Sequence, residues 1–562
     1  MDARKLTEAI SVAPQITPED IAAIKEAGFR AIICNRPDGE GADQPTFEEI
    51  EMAARAAGIE ARYIPIVGGM VRDEDARTFG RALTELPGPV LAYCRSGTRS
   101  TTLWALCKAP EMDVSAILAT AKAAGYDMGG VVRRIVNGGK TPTTTGDAKF
   151  DVVIVGGGAG GISVASSLRA RNRDISIAVI DPADIHYYQP GWTMVGAGIF
   201  DPATTARTMG SLIPRGVHWI KSAVAAFEPA NDAVILDGCR VVTYDRLIVC
   251  PGLKLDWQKV EGLVDTLGKN GVTSNYRYDL APYTWDLVQG LKSGRALFTQ
   301  PPMPIKCAGA PQKAMYLSAD HWFRTGVLKD IDVQFMNAGG VLFGVKDFVP
   351  ALMEYVRKYD ATLNYFHNLV AVDGAGKTAT FEVTEPGQEP RRVTVEYDMM
   401  HVCPPQTAPD FIRVSPLADA VGWVDVDPST LRHKTYENIW SLGDVMNAPN
   451  AKTAAAARIQ APVVAANVAA DIAGHSPEGS YNGYGSCPLT VERGKIVLAE
   501  FGYGGVLLPS FPKWVIDGTK PTRAAWWLKE QLLPPVYWSA MLKGREWMAK
   551  PERITDDGAV VS

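Results

Sequence analysis

Short apolar runs alternate along this chain with stretches whose apolar residues recur every three or four positions. Runs bounded by Gly, Pro or Asp read as buried strands, and the periodic stretches as helices. Near the start, RAIICNRP predicts a strand from Arg30, EEIEMAARAAG a helix, and ARYIPIVG (61–68) a second strand. A helix over 74–86 and the strand PVLAYC, ending at Cys94, follow, with helices to about 137. Further strands are predicted at 152–156 (VVIVG), 175–181 (ISIAVID), 246–250 (RLIVC), 295–300 (RALFTQ), 333–338 (VQFMNA) and just before Gly443. Strand–helix alternation on this scale predicts an α/β chain whose larger part is two interleaved Rossmann-like domains.

The stretch NGGKTPTTTGDAK breaks the pattern with turn formers and small polar residues. The expected organisation is a small α/β domain over 1–136, a linker over 137–149, a nucleotide-binding body over 150–475 and a C-terminal region over 476–562. With 562 residues, 46% hydrophobic and 21% charged, the chain has core material for several domains, which excludes a disordered or coiled-coil protein. A net charge of -5 asks for no nucleic-acid partner. The opening MDARKLTEAI carries no apolar signal stretch, so export is not expected, and no apolar run is long enough to span a bilayer. The eight cysteines include no C-x-x-C pair, so no metal site is expected.

The C-terminal region changes character. Trp514, Trp526, Trp527, Trp538 and Trp547 lie there among Lys and Arg, a mixture that suits helices lying in a headgroup layer. The alternative is a helix pair packed on the body or on a second subunit.

VVIVGGGAGGISVASSL carries the most specific local chemistry. Gly156, Gly158 and Gly161 form G-x-G-x-x-G after an apolar strand and at the start of a helix, and Asp181 ends the next strand. The glycines let backbone N–H groups approach a pyrophosphate, and the acid suits ribose hydroxyls. A second dinucleotide feature, Gly443-Asp444, stands where an acid holds the ribityl chain of FAD. The other Rossmann-like half has no spaced glycine triplet; its strand RALFTQ runs instead into PPMPIKCAGAPQK, with Cys307 where a pyridine nucleotide would dock. Electrons are therefore expected to enter from a small substrate at that cysteine.

With these residues in view, 150–562 resembles the sulfide:quinone oxidoreductases, in particular the two-cysteine class that includes the mitochondrial enzymes. The matching stretches are the glycine motif, HYYQPGWTMVGAG (186–198), PIKCAGAPQKAMYLS (304–318), VLFGVK (341–346), GWVDVD (422–427), AKTAAA (451–456) and YGSCPLT (484–490). The resemblance implies that Cys307 and Cys487 form a redox pair beside non-covalently bound FAD. It implies that sulfide opens the oxidised pair and that one sulfur leaves as a persulfide to a low-molecular-weight thiol such as glutathione, or to sulfite. Electrons then pass to membrane quinone. Gln189 is expected to face the flavin and Lys452 to supply a cation near it, while Lys313 draws anions toward Cys307 or lies on the surface. GVTSNYRYD (271–279) lacks the third cysteine of some relatives, and Cys250, Cys403 and Cys239 read as structural. The address implied is peripheral, on the cytoplasmic face of a bacterial inner membrane, with a homo-oligomer left open.

In the first domain, YCRSGTRS ends a strand at Cys94 and starts a helix at Ser100. A thiol at a helix N-terminus beside Arg99 suits anion chemistry. Cys94 to Arg99 is C-x4-R, one residue short of the phosphatase loop, which favours transfer of a sulfane sulfur as in rhodaneses. With NRPDGE (35–40) and the QP pair (44–45), the unit resembles a phosphatase-like domain of unsettled function. Asp38 or Asp73 is a candidate general acid if phosphate esters are the substrate. A phosphatase and a non-catalytic regulatory domain remain alternatives. For the body, the rivals are a type II NADH:quinone dehydrogenase, a flavocytochrome-type sulfide dehydrogenase and a non-enzymatic sulfide sensor.

Overall fold

The computed structural model describes residues 2–41, 44–68, 70–142, 148–555 and 560–561. They gather into two compact units. One comprises Met1–Lys149 with Ser222–Thr243 and Asp410–Pro416; the other comprises Phe150–Lys221, Tyr244–Pro409 and Leu417–Ser562.

The first unit is built on a five-stranded sheet in the order Arg4–Lys5, Ile10–Ala13, Val90–Tyr93, Ala31–Cys34, Glu60–Tyr63. All pairs are parallel except the first. Alternate residues feed two cores. Val12, Ala31, Ile33 and Ala92 face Phe79, Leu103 and Trp104, while Ala13, Ile32, Leu91 and Tyr93 face Ile21, Ile24 and Ile50. Burial on both faces explains why these strands are continuous apolar runs, and it makes three layers. The strand predicted to reach residue 68 stops at Tyr63. Pro65 has no N–H to give the ladder, and Ile64 and Ile66 continue as buried irregular chain.

A hairpin from later in the sequence, Val224–Glu228 with Ala233–Leu236, belongs to this unit. Val132 packs with Ala226, Ala233 and Ile235, and Arg133 pairs with Glu228 at 2.7 Å. Of the expected linker, 143–147 lie outside the described residues. The Thr141 hydroxyl donates to Asp73 at 2.7 Å, and Ala148 already opens the strand Ala148–Val155.

The second unit carries two largely parallel sheets. In the first, Val217–Ile220, Ile177–Ile180, Ala148–Val155, Val241–Val249 and Ile439–Ser441 lie side by side. The second runs Val272–Thr273, Met399–His401, Gly294–Gln300, Ile331–Asn337, Thr362–Tyr365, parallel throughout. The chain enters the first sheet, builds the second and returns, as expected of interleaved Rossmann-like folds. An antiparallel pair, Gly485–Glu492 with Lys495–Phe501, packs its Cys487, Leu489 and Val497 into the core of the second sheet.

The C-terminal region divides its tryptophans. Trp526 joins a cluster with Ile496, Leu498 and Ala525, and Trp538 joins Tyr537, Tyr188 and Met209. The rings of 526 and 538 are therefore packed on the body rather than offered to a headgroup layer. Trp514, Trp527 and Trp547 stay exposed, at 87%, 59% and 62%. The segment folds as Arg523–Trp527, a π-helical turn at Leu528–Leu532 and Leu533–Ser539. Among the described residues, no helix is long and apolar enough to cross a membrane.

Candidate functional site

The glycine turn forms as its sequence requires. Gly156 has φ +107°, and a Cβ on Gly161 would stand 1.8 Å from the Gly156 carbonyl oxygen. Any side chain at these positions would force strand and helix apart. Gly158 caps the helix Ala159–Arg171, and a Cβ there would meet nothing within 4 Å. This open space at a helix N-terminus fits a dinucleotide pyrophosphate. Asp181 accepts from the backbone N–H of Gly157 at 2.6 Å and of Ala183 at 2.8 Å, which places its carboxylate beside the turn.

The Gly443-Asp444 loop is pinned from both sides. Gly443, at φ +79°, donates its N–H to Gln460 Oε1 at 2.8 Å. Lys452 is buried, donates to the carbonyls of Asp444 (2.7 Å) and Met446 (2.8 Å), and lies 4.1 Å from the Trp423 ring centroid. Burial brings its pKa down to about 8. Burial also raises that of Asp444, against the pull of Lys306 and Lys452. The carbonyl of Lys452 in turn accepts from the Cys307 N–H at 2.9 Å, so the Lys452 segment and the cysteine loop are tied together.

Cys307 follows the strand Gly294–Gln300, in the left-handed region at φ +52°, just before the helix Ala310–Thr325. Its Sγ lies 3.5 Å from that of Cys487, although 180 residues separate them. Cys307 is half-buried and Cys487 is fully buried. Lys313, one turn into the helix and 4% exposed, donates to the Cys307 Sγ at 3.1 Å. The surface alternative for this lysine is thus overturned by its burial. The hydrogen bond with Cys487 and the Lys313 ammonium hold the Cys307 thiol well below its ordinary value, against burial. The same contact, with burial, pushes Cys487 well up.

Two further lysines meet this site that sequence reasoning did not single out. Lys306 donates to Gln189 Oε1, linking the cysteine loop to the Gln189–Gly191 turn. Lys529, from the π-helical turn, is 4% exposed and reaches the Pro190 carbonyl at 3.4 Å. Burial first, then the nearby Lys313, bring it down to about 7. The only signal for it was a lysine set in the apolar run AAWWLKE. Cys250 and Cys403 are buried, with thiols raised by burial, Cys403 to about 12. Cys239 is likewise buried, its thiol against the Arg133 carbonyl at 3.2 Å.

In the first unit, Cys94 is fully buried at the end of Val90–Tyr93, and the Gly97 N–H donates to its Sγ at 3.1 Å. Arg99 lies in the first turn of the helix Thr98–Lys108 and pairs with Glu40, at 2.7 Å. Ser100 is buried in the same turn, and its hydroxyl has no partner. Asp73 is committed to Arg134 at 2.8 Å and to Thr141, and Asp38 accepts the Phe47 N–H at 2.9 Å. Among the described residues, no group of three or more His, Cys, Asp or Glu could hold a metal ion.

Two interleaved parallel sheets, a glycine cradle and a cysteine pair define a flavoprotein of the disulphide-oxidoreductase class. The family model for pyridine nucleotide-disulphide oxidoreductases matches residues 150–284. The chain is 39% identical over 395 residues to the mitochondrial sulfide:quinone oxidoreductase of Mus musculus, covering 70% of this chain and 87% of that one. Against the Dictyostelium discoideum enzyme it is 42% identical over 402 residues, covering 71% and 87%. The chain belongs to the sulfide:quinone oxidoreductase family, and it is an enzyme of that family's oxidoreductase type. The solved sulfide:quinone oxidoreductase of Aquifex aeolicus shares the fold, with a TM-score of 0.58 at 17% identity over 71% of this chain and 93% of that one. Residues 2–111 match the phosphatase-like domain of beta-lactamase hydrolase-like proteins. The Agrobacterium fabrum protein of that name is 38% identical over 109 residues, 19% of this chain and 25% of its own length. The molecule is thus a phosphatase-like domain fused to a sulfide:quinone oxidoreductase body.

Proposed function

We propose that the body oxidises sulfide through Cys307 and Cys487 and delivers the electrons to membrane quinone. The observation that carries this reading is the 3.5 Å approach of the two sulfurs with the Lys313 ammonium on one of them. Gly156, Gly158, Gly161, Asp181, Gly443 and Asp444 would hold FAD, with Gln189 and Lys452 beside it. FAD supplies the two-electron sink that lets the cysteine pair close again, and it passes the electrons to quinone.

The chain's own residues set the direction of the sulfur chemistry. In a sulfur bridge between the two cysteines, the thiol of lower pKa leaves faster. Hydrosulfide therefore attacks the Cys487 sulfur, the bond to Cys307 breaks, and Cys307 departs as a thiolate paired with Lys313. Cys487 keeps the new sulfur as a persulfide. Its outer sulfur passes to a thiol such as glutathione, or to sulfite, and Cys487 is released as a thiolate.

The exposed Trp514, Trp527 and Trp547 support a peripheral seat on the membrane. The first unit receives sulfane sulfur at Cys94, supported by its short C-x4-R loop and the neighbouring persulfide producer. The test is anaerobic: sulfide added to the FAD-loaded chain bleaches the flavin, a short-chain quinone restores it, and Cys307→Ser abolishes the bleaching. Bleaching by NADH but not by sulfide would overturn the reading.

A further inference from the structure

The Cys94 loop contains a charged cluster that sequence reasoning passed over. Arg99 Nη1 donates to Glu40 Oε1 at 2.9 Å and to the Ile66 carbonyl at 2.7 Å, and its Nη2 donates to Glu40 Oε2 at 2.7 Å. This two-point pairing fixes the plane of the guanidinium as well as its charge. Glu40 is itself held, since Arg36 Nε donates to Oε2 at 2.9 Å while Arg36 Nη1 donates to Gln15 Oε1 at 2.9 Å. The side chains of Arg99 and Arg36 are only 13% and 10% exposed. Burial opposes the charge on Arg99, but Glu40 and the adjacent Cys94 sulfur outweigh it and keep the guanidinium more basic than usual.

Three features of this arrangement point to one substrate class. Arg99 is aligned beside the sulfur. Ser100, in the same helical turn, has a fully buried hydroxyl with no partner, which is costly unless a ligand takes its hydrogen bond. Of the two carboxylates the sequence offered as a general acid, Asp73 is engaged by Arg134 and Thr141, and Asp38 accepts the Phe47 N–H through one oxygen. Phosphate-ester cleavage calls for such an acid. Exchange of a persulfide sulfur does not, because its leaving group is a thiolate.

We infer that Glu40 is a positioning residue for sulfur transfer, fixing Arg99 beside Cys94 so that the loop takes the outer sulfur of a low-molecular-weight persulfide. This rests on the sulfane-sulfur reading of the first unit given above. In the step, the Cys94 thiolate attacks the outer sulfur of R–S–S⁻. The donor's S–S bond breaks, R–S⁻ leaves, and Cys94–S–S⁻ forms. One S–S bond replaces another, so there is no net oxidation and no proton is consumed. Arg99 faces the negative charge throughout.

The experiment mixes the full chain with glutathione persulfide and follows, by peptide mass spectrometry, the rate at which Cys94 gains one sulfur atom. Wild type is compared with Glu40→Gln, Glu40→Asp and Arg99→Lys, with thermal melting of each chain as a control for folding. The expected result is labelled Cys94 in wild type and a maximal rate lowered roughly ten- to hundredfold in Glu40→Gln and Arg99→Lys. The persulfide concentration for half-maximal rate stays unchanged, and Glu40→Asp, which keeps the carboxylate, recovers part of the loss. A rate in Glu40→Gln and Arg99→Lys equal to wild type would overturn the role of Glu40 while leaving Cys94 a sulfur acceptor. An unlabelled wild-type Cys94, with hydrolysis of p-nitrophenyl phosphate that Cys94→Ser abolishes, would overturn the sulfane-sulfur reading itself.

Discussion

Lys313 Nζ donates to Cys307 Sγ across 3.1 Å, with the lysine buried and the cysteine half-buried. A buried ammonium carries a desolvation cost that a paired negative charge offsets in part. The pairing makes Cys307 the better leaving group of the two cysteines. Lys313→Met is expected to lower the rate of sulfide-dependent flavin reduction by about a hundredfold, as when one preorganised charge donor is removed from an active site. Iodoacetamide modification of Cys307 then shifts to higher pH, because the thiolate has lost its partner. Stopped-flow spectra and a pH series of labelling rates check both.

Lys529 introduces a pH dependence near neutrality. Its pKa lies at about 7 in the folded chain against an ordinary 10.5. Between those values the unfolded chain binds a proton that the folded chain does not, so stability rises with pH across that window. The cost is complete below about 7 and gone above 10.5. Lys529→Met should therefore stabilise the protein near neutral pH, by at most about 5 kcal/mol at about 1.4 kcal/mol per pKa unit, with the gain vanishing toward high pH. The same variant should lose any step near pH 7 in the rate of sulfide oxidation. Thermal melts and rates over one pH series report both effects.

The glycine cradle separates binding from folding. At Gly158 a methyl group meets no protein atom within 4 Å, whereas at Gly161 it meets the Gly156 carbonyl oxygen at 1.8 Å. Gly158→Ala is expected to fold with wild-type melting in the flavin-free form and to bind FAD at least about tenfold more weakly, a loss of ~1.4 kcal/mol. Gly161→Ala is expected to lower the melting temperature of the flavin-free chain as well. Flavin titration by fluorescence, paired with calorimetry, distinguishes the two.

The adjacent tryptophans 526 and 527 make a matched pair. Trp526 is 8% exposed and packed on Leu498 and Ala525, while Trp527 is 59% exposed. Trp526→Ala should cost about 3–5 kcal/mol of stability, the usual range for a buried aromatic. Trp527→Ala should leave stability within about 0.5 kcal/mol while weakening sedimentation with anionic lipid vesicles. Denaturant melts and vesicle co-sedimentation measure the contrast.

The parallel sheets and the glycine cradle were legible in the sequence because each is local. A strand buried on both faces is a continuous apolar run, and Gly156, Gly158 and Gly161 owe their identity to a turn made within six residues. Cys307 and Cys487 were legible as a pair only through family resemblance, since no local pattern says that residues so far apart will meet. Lys529 and Glu40 escaped for a related reason. Each is a common charged residue whose place is set by a contact with another segment, the Pro190 carbonyl for Lys529 and Arg99 for Glu40. The tryptophan-rich segment misled in part because composition shows how much aromatic surface exists, not which ring turns inward. Trp538 found its place against Tyr188 and Met209.

The central claim is that Cys307 and Cys487 act as one redox pair. Its most direct test is anaerobic titration of the FAD-loaded chain with sulfide, followed in the visible flavin spectrum for wild type, Cys307→Ser and Cys487→Ser. The account predicts bleaching in wild type, recovery on adding a short-chain quinone, and loss of bleaching in both single variants. Full bleaching by sulfide in either variant, at the wild-type rate, would contradict it.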